Sequence, residues 1–361
     1  MTSHSDENPI ISAVNAMGAS HKSTDKPIVI AVDAMGGDYA PQEIVKGTIE
    51  AFSYTDNIEI ILVGDQDQIE NELSKYEISD LPLKIIPSEG VITEGESPTQ
   101  ALRAKPNASI IVCAGLVKKG VAHGLISMGS TGAAMAVSAL TFGITKGIER
   151  PAIGGPILGM APNSVLMDLG SNVDCRPSQL INFGIIGSFF ASQILSIKNP
   201  RVALLSVGAE EGKGNRQVKE AAETLKNTGL NFVGNIEGTD LPLGKADVII
   251  CDGFVGNIVM KLSESLGDYI SKYVMQKLNG RLPSTEVRNL GQEIFNMTNL
   301  VENVGGGPIF GVNGISIVGH GRAKANAIAK AIDMAKRVIV MDFVNKLEEQ
   351  VISSNQIISK K

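Results

Sequence analysis

The stretch PIVIAVDAMGGDYAP, at residues 27–41, decides the fold class. Residues 28–32 form a continuous apolar run, which is typical of a strand buried on both faces of a sheet. The run stops at Asp33, and the glycines at positions 36 and 37 then permit a tight turn. Pro41 suits the first turn of a helix, where its missing N–H has no partner to lose. The stretch therefore predicts a strand, a glycine-rich loop and a helix.

The same succession of strand, glycine-bearing turn and helix recurs along the chain. Strands that alternate with helices usually pair in parallel, so the pattern predicts an α/β fold. We expect a mostly parallel sheet with helices on both faces. Further strands are predicted at residues 58–63, 83–86, 124–127, 165–169, 202–206 and 248–251, and helices at 41–52, 131–146, 179–196 and 215–227.

The length of 361 residues suggests two or so structural units, at about 150 residues each. The chain has neither an internal repeat nor an obvious linker, so we expect two interwoven lobes in one α/β domain at residues 27–348. Residues 1–26 are mostly polar and small, which predicts a poorly ordered tail. Residues 349–361 are expected to form a C-terminal tail.

The region from 255 to about 300 differs because two helical patterns follow each other without a strand between them. Gly280 and Pro283 interrupt the pattern, and residues 286–298 predict the second helix of a protruding helical hairpin. The apolar stripe of this hairpin suits packing in a core or a homodimer, or contact with a membrane surface. The stripe consists of Val255, Ile258, Val259, Leu262, Leu266, Ile270, Val274 and Leu278.

Composition and charge exclude several classes of protein. Hydrophobic residues make up 43% of the chain and charged residues 19%, values that exclude wholesale disorder. The net charge of −6 shows no basic excess, which disfavours nucleic acid as a partner. Three widely spaced cysteines and an acidic, weakly apolar N-terminus indicate reduced thiols and no signal peptide. We therefore expect a cytoplasmic protein.

Five loops that follow predicted strands are rich in Gly, Asp, Asn, Ser and Thr. One such loop usually only permits a turn, but parallel strands place successive loops at one edge of the sheet, where ligands bind. Ser130, Thr131 and Gly132 are the best candidates, because hydroxyls and free N–H groups at a helix start bind phosphate without a metal. The loops, which predict an anion-binding cleft, are residues 33–38, 127–132, 168–174, 206–215 and 252–257.

Several familiar motifs are incomplete or missing. The run from Gly208 to Lys213 is one residue short of a P-loop, no G-x-G-x-x-G opens a helix, and no G-x-S-x-G elbow occurs. Only His123 and His320 fall in the folded part, too few for a histidine metal site, although a carboxylate magnesium site stays open. His320 lies at a glycine-flanked strand end, which suits either a structural role or general acid–base chemistry near neutral pH.

Seven collinear segments carry a resemblance to a known family. They are IAVDAMGGDYAP at 30–41, ISMGSTGA at 126–133, GIERP at 147–151, DLGSNVD at 168–174, NIEG at 235–238, DGFVGN at 252–257 and HG at 320–321. Together they closely resemble the acyl-ACP:phosphate acyltransferases, the PlsX family, over about residues 27–348. The family more often has Asn at Ser130, Ala at Ser171 and Thr at Ala209, which affects single ligand contacts more than the reaction.

The resemblance implies an activity and a set of partners. It implies a scaffold like that of phosphotransacetylases and isocitrate/isopropylmalate dehydrogenases, and the reaction fatty acyl-ACP + phosphate ⇌ acyl phosphate + ACP. Acyl carrier protein is then the donor and inorganic phosphate the acceptor. A membrane glycerol-3-phosphate acyltransferase would consume the product in phospholipid synthesis. Homodimerisation and peripheral membrane contact through the hairpin fit this role, and neither a metal nor a redox cofactor is demanded.

The candidate site residues follow from the loops and the resemblance together. The catalytic candidates are His320, Asn257 and Arg322, which suit thiolate protonation, oxyanion stabilisation and charge neutralisation. The candidates for binding phosphate or substrate are Gly129, Ser130, Thr131, Gly132, Asp33, Gly36, Gly37, Asp38, Asn172, Lys213, Asp252 and Gly256.

Two other functions remain as alternatives at this point. One is an oxidoreductase on the same scaffold, since fold does not fix function. It would need an adenine-nucleotide fingerprint and a metal-binding carboxylate set, and neither is found in the sequence. The other is a non-catalytic scaffold that recruits lipid-synthesis enzymes through the hairpin, for which polar loops would have no use.

Overall fold

The computed structural model describes residues 26–300 and 304–359, in which strands and helices alternate as predicted. The strands are β1 Ile28–Asp33, β2 Ile58–Gly64, β3 Leu83–Pro87, β4 Gly124–Ser127, β5 Ala152–Pro156, β6 Val165–Met167, β7 Arg201–Leu205, β8 Asn231–Ile236, β9 Val248–Ile250, β10 Gly307–Phe310 and β11 Ile315–Val318. The helices are α1 Gln42–Ala51, α2 Gln66–Leu73, α3 Pro98–Ala104, α4 Ser109–Lys118, α5 Thr131–Phe142, α6 Pro177–Gln193, α7 Arg216–Leu225, α8 Gly253–Leu278, α9 Ser284–Thr298, α10 Ala325–Val340 and α11 Phe343–Ser359.

The chain divides into two compact units, each built from more than one stretch of sequence. The N-terminal unit takes its described residues from 24–153 and 302–349, and the central unit from 154–301 and 350–361. The chain passes from the first unit to the second within β5. The chain therefore enters each unit more than once.

In the N-terminal unit the strand order is β3-β2-β1-β4-β11-β10-β5. The pairs from β3 to β11 are parallel, whereas β10 runs antiparallel to both β11 and β5. The sequence of strand β1 suits a central place in the sheet, since five of its six residues are buried. Parallel strands buried on both faces need continuous apolar runs, and residues 28–32 supply one.

In the central unit the order is β5-β6-β9-β7-β8. Only the β5–β6 pair is antiparallel there, and β6, β9, β7 and β8 run in parallel. The carboxyl ends of these parallel strands therefore lie along one edge, from which the loops into α6, α7 and α8 start. The prediction of an α/β fold with a mostly parallel sheet is confirmed.

A helical hairpin is present where it was expected. Helices α8 and α9 pack closely because small residues, Gly267, Ser271 and Gly291, lie between them, and the Ser271 hydroxyl donates to the Gly291 carbonyl at 2.7 Å. The other side of α8 exposes a stripe at helical spacing. The exposed residues are Phe254, Ile258, Leu262, Leu266, Tyr269, Ile270 and Tyr273.

Two segment boundaries differ from the sequence prediction. Helix α5 ends at Phe142 and not near 146, because Gly143 has a φ of 80° that leaves the helical region. The boundary set at residue 349 falls inside α11, which continues to Ser359 because Leu347 and Val351 on one of its faces are buried. Of the expected tail at 1–26, residues 1–25 lie outside the described residues.

Candidate functional site

Three neighbouring strands of the N-terminal unit end together. Strand β4 pairs with β1 on one side and with β11 on the other, so the loops after Asp33, Ser127 and Val318 leave the same edge. The Ser127 hydroxyl donates to Asp33 Oδ2 at 2.6 Å and accepts from the Gly129 N–H at 3.0 Å. The first two loops are thus joined by a buried serine–aspartate contact.

Asp33 is a buried residue whose carboxyl group accepts hydrogen bonds from these loops. Its side chain is only 3% exposed, and Oδ1 also accepts from the Met35 N–H at 3.2 Å. Burial raises the pKa of Asp33 above its ordinary value, while the hydrogen bonds from Ser127 and Met35 act against this. Asp33 was predicted to bind phosphate or substrate, but its carboxyl group is taken up by the protein. The geometry makes it a residue that positions the loop at 127–130.

The contact between these loops requires glycine at position 36. A Cβ added at Gly36 would lie 2.5 Å from Asp33 Oδ2 and 2.9 Å from the Gly129 nitrogen. No side chain fits in that space. Gly37 follows with a φ of 107°, which also favours glycine. Both glycines therefore shape the loop, and their predicted contact with substrate stays a prediction.

The start of helix α5 has the features of an anion site. The Ser130 hydroxyl accepts from the Ala133 N–H at 3.4 Å and so caps the helix. Thr131 and Gly132, at the first two helical positions, are exposed. The early N–H groups of a helix have no partners within it, and together with the dipole they attract an anion.

The loop after β11 carries two of the catalytic candidates. His320 is half-buried and Arg322 is exposed. The Asp38 N–H donates to the Gly321 carbonyl at 2.8 Å, so the loop that starts at Asp33 also contacts this one. The N-terminal unit therefore brings together the predicted residues of three loops: 33–38, 129–132 and 320–322.

Lys324 is a residue near this loop that sequence reasoning missed. Its ammonium group lies 3.1 Å from the centroid of the Tyr39 ring and 3.8 Å from Glu43 Oε1. The other oxygen of Glu43 accepts from the Ala325 N–H, at the start of helix α10. A cation over an aromatic face is attracted by the ring quadrupole. No local spacing signals this pairing, because Tyr39 and Lys324 are 285 positions apart.

In the central unit Asp168 organises the loop after β6. It is fully buried, and four donors reach its carboxyl group. Oδ1 accepts from the N–H groups of Gly170 and Ser171 at 3.3 and 3.2 Å. Oδ2 accepts from the backbone N–H and the side-chain amide of Asn172 at 2.7 and 3.0 Å. The side chain of Asn172, predicted to bind phosphate, therefore donates to Asp168 within the protein.

The same loop holds the start of helix α8. The Gly253 N–H donates to the Asn172 carbonyl at 2.7 Å. A Cβ at Gly256 would lie 1.8 Å from the Asp168 carbonyl oxygen, so only glycine lets the helix approach the loop this closely. Asp252 caps the helix by accepting from the Val255 N–H at 2.8 Å. As a carboxylate it repels phosphate, and its bonds identify it as a residue that holds the helix start.

Asn257 is the best-placed donor of this unit. It lies one turn into helix α8, half-buried and next to Gly170, whose φ of 135° favours glycine. Within the described part of the chain its side-chain amide makes no hydrogen bond. An amide left free at this place is available to a developing negative charge. Lys213, on the loop after β7, is exposed and forms no ion pair within the described ranges.

The cysteine thiols are kept protonated. Burial and, after it, the charge of the nearby Asp168 raise the pKa of Cys175 to about 12. Burial also raises the pKa values of Cys113 and Cys251 well above the ordinary thiol value. Because the thiolate is the nucleophilic form, none of the three is activated for covalent catalysis.

Among residues 26–300 and 304–359, no helix is both long and apolar enough to span a bilayer. The same ranges contain no group of three or more His, Cys, Asp or Glu side chains arranged to hold a metal ion.

The fold is that of phosphotransacetylases. The chain is similar to a phosphotransacetylase from Streptococcus pyogenes with a TM-score of 0.62 and 17% identity, over 94% of this chain and 100% of that one. It is also similar to the EutD phosphotransacetylase from Staphylococcus aureus, with a TM-score of 0.58 and 14% identity, over 92% and 99% of the two chains. At such identities the likeness defines the fold alone.

The sequence comparisons identify the family. The model of the family described as "Fatty acid synthesis protein" matches residues 28–346. The phosphate acyltransferase of Pelotomaculum thermopropionicum is 43% identical over 328 residues, or 90% of this chain and 94% of that protein. That of Heliobacterium modesticaldum is 42% identical over 324 residues, or 87% and 95%. The chain belongs to this family of phosphate acyltransferases and is an acyltransferase enzyme.

Proposed function

We propose that the enzyme transfers a fatty acyl group from acyl-acyl carrier protein to inorganic phosphate, giving acyl phosphate. A phosphate oxygen attacks the thioester carbon, the carbon–sulfur bond breaks, and the electron pair leaves on sulfur. The proton of hydrogen phosphate ends on the thiol, so that atoms and charge balance. Phosphate is already an anion at neutral pH. The reaction therefore needs no activated serine or cysteine, in keeping with the protonated thiols.

We assign roles to the candidate residues of each unit, taken by itself. The exposed start of helix α5, at Ser130, Thr131 and Gly132, holds phosphate through N–H groups and hydroxyls. The Asn257 amide donates to the oxyanion of the tetrahedral intermediate, where the loss of one donor costs about 2.7–4 kcal/mol of barrier. His320 protonates the departing thiolate, or Arg322 beside it neutralises the charge.

The observation that supports the proposal best is the exposed, serine-capped start of helix α5 in a chain about 40% identical to phosphate acyltransferases. The purified protein is incubated with acyl-ACP and phosphate, and hydroxylamine traps any acyl phosphate as a hydroxamate. We expect hydroxamate to form in proportion to phosphate, above the background that hydroxylamine gives with the thioester itself when phosphate is absent. An active ACP substrate that yields no phosphate-dependent hydroxamate would overturn the proposal.

The two alternative functions receive less support. The relatives are acyltransferases, which disfavours an oxidoreductase on this scaffold. A non-catalytic scaffold would have no use for the free donors at Thr131 and Asn257. We further propose that the enzyme works in the cytoplasm and that a membrane glycerol-3-phosphate acyltransferase consumes its product for phospholipid synthesis.

We also propose that the hairpin makes a homodimer with peripheral membrane contact. Beyond Phe254, the exposed stripe on helix α8 runs from Ile258 to Tyr273, and in the single chain it is free to pack against an identical helix in a two-fold dimer. Near the far end of the helix, Leu282 is exposed, and so is Lys277, five positions earlier in the chain. Apolar side chains rimmed by lysines suit the anionic headgroup region of a membrane.

The membrane part is tested with anionic vesicles. We expect salt-sensitive sedimentation of the wild type, lost when Leu278 and Leu282 are both replaced by glutamate, with dimer and activity kept. Leu243→Glu, at an exposed leucine outside the hairpin, is the matched control and should still sediment. A double variant that still binds places the contact elsewhere. One that becomes monomeric identifies the surface as a dimer interface only.

A further inference from the structure

An open pocket in the central unit is not used by the chemistry described above. Its volume is about 740 Å³, within the range of about 300–1,000 Å³ typical of ligand sites. Three chain segments enclose it: the loop before α6, the start of α7 and the start of α8. The lining residues are Val173, Asp174, Cys175, Arg176, Pro177, Asn215, Arg216, Gln217, Glu220, Asp252 and Phe254.

Part of the lining is apolar and uncovered. Val173 is 56% exposed and Phe254 57% exposed, although both are large hydrophobic residues. Pro177 and the protonated thiol of Cys175 add to this apolar surface. When a ligand's methylene groups cover exposed apolar groups that line a pocket, apolar surface is removed from water, which favours binding.

The rest of the lining offers hydrogen bonds. Gln217 donates through Nε2 to Asp252 at 2.9 Å, which leaves its carbonyl oxygen to accept from a ligand. Asn215 accepts the Val218 N–H through Oδ1 at 3.0 Å, which leaves its NH₂ group to donate. One amide side chain therefore presents an acceptor and the other a donor. A purely apolar ligand would bury both without partners, at a cost for each.

The pocket also adjoins the proposed reaction machinery. Asp252 lines it and caps helix α8, and Asn257 lies on the same helix five positions further along the chain. A ligand in the pocket therefore lies beside the helix start that carries the proposed oxyanion donor. Two carboxylates of the pocket already accept hydrogen bonds within the protein. Asp252 accepts from Gln217, and Glu220 accepts from Arg216.

We propose that this pocket binds the pantetheine arm through which a carrier presents an acyl thioester. The arm combines methylene groups with two amides, which matches the mixed lining, and ends at the sulfur that must reach the reaction. The inference rests on the proposed function, since it names the part of the acyl donor that this unit recognises. Acyl carrier protein and coenzyme A share the arm, so the pocket recognises what both donors have in common.

The test blocks the pocket from its rim. Val173→Trp puts a large ring at an exposed lining position, and Val207→Trp is the matched control on the neighbouring loop. Val207 is 84% exposed and lies outside the lining. Each protein is assayed with acyl-pantetheine and with acyl-N-acetylcysteamine, a thioester that lacks the distal part of the arm. The measured quantity is the ratio of kcat/KM for the two donors.

We expect the wild type and Val207→Trp to prefer the full arm by at least about tenfold, and Val173→Trp to lose that preference. Its rate with the truncated donor should stay within about twofold of the wild type, which shows that the variant is folded. An unchanged preference in Val173→Trp overturns the inference. A shift in acyl-chain-length preference alone also overturns it, because the pocket would then hold the chain.

Binding is measured separately, so that the pocket is tested even if no donor reacts. Saturation-transfer NMR with pantetheine should show contact with the wild type and with Val207→Trp, and at least tenfold weaker binding to Val173→Trp. Equal binding by all three proteins contradicts the inference whatever the activity. Absence of turnover with every donor, together with normal pantetheine binding, counts against the proposed function and leaves the pocket inference supported.

Discussion

Replacing Asp168 by asparagine should destabilise the central unit far more than its small change in shape suggests. The carboxyl group accepts four hydrogen bonds and is fully buried. Asparagine keeps one oxygen, which can serve only one pair of donors. If that oxygen keeps the shorter bonds to Asn172, the NH₂ group of the new side chain faces the backbone N–H groups of Gly170 and Ser171. These two donors then lose their acceptor.

The size of the effect follows from these two lost bonds. Gly170 is exposed and Ser171 is half-buried, so their N–H groups can reach water and each lost bond costs about 0.5–1.5 kcal/mol. Asp168→Asn should therefore lose roughly 1–3 kcal/mol. The free energy of unfolding of a typical domain is only about 5–15 kcal/mol in total. At a urea dependence of about 3 kcal/mol per molar, the unfolding midpoint should fall by roughly 0.3–1 M.

The control is Asp174→Asn, which makes the same chemical change six positions away at an exposed carboxylate. Its free energy of unfolding should stay within about 0.5 kcal/mol of the wild type, as for most surface substitutions. Urea titrations followed by circular dichroism measure both variants. If they unfold at the same urea concentration, Asp168 does not hold the loop, and the role given to it is refuted.

Three further predictions concern the chemistry. Thr131→Val removes one hydroxyl at nearly constant volume and should weaken phosphate use by about 1.5–3 kcal/mol, or roughly 10- to 100-fold in KM; unchanged phosphate kinetics would make that loop structural. His320→Ala should lower kcat by about 10²–10⁴-fold with a near-normal Tm, whereas a lower Tm with full turnover would show that the role of His320 is structural. Because its pKa is raised to about 12, only about one Cys175 thiol in 10⁴ is ionised at pH 8. Alkylation of the folded protein, followed by mass spectrometry, should therefore be very slow at pH 8 and accelerate with rising pH; rapid labelling of Cys175 would contradict the structure.

Much of the fold could be predicted because its parallel strands have a simple signature. Residues 28–32 and 58–63 are continuous apolar runs ending in turns, and the structure has strands at both places. The parallel strand β8 and the antiparallel strands β5 and β10 were not predicted. Gly154 and Gly155 interrupt the apolar pattern of β5, and β10 has only four residues, including a proline. Their pairing depends on partners distant in sequence.

The site was predictable in its loops but not in the roles of single residues. A loop rich in Asp, Asn and Gly predicts polar groups at a strand end, and 168–174 is such a loop. The sequence does not say whether Asn172 faces a ligand or, as observed, donates to Asp168. Asp33 shows the same limit, since its burial depends on β4 and Ser127, 94 positions away. Local patterns indicate where polar groups gather, and packing decides which of them stay free.

The most direct test of the proposed chemistry measures release of the carrier thiol from acyl-ACP as phosphate is varied. With phosphate as the only acyl acceptor, thiol release should be absent without phosphate, rise to saturation with it, and match the acyl phosphate formed one to one. Intact-protein mass spectrometry in the same samples should detect no acyl adduct on the enzyme. Release of thiol without phosphate, together with an acylated enzyme, would contradict direct attack by phosphate.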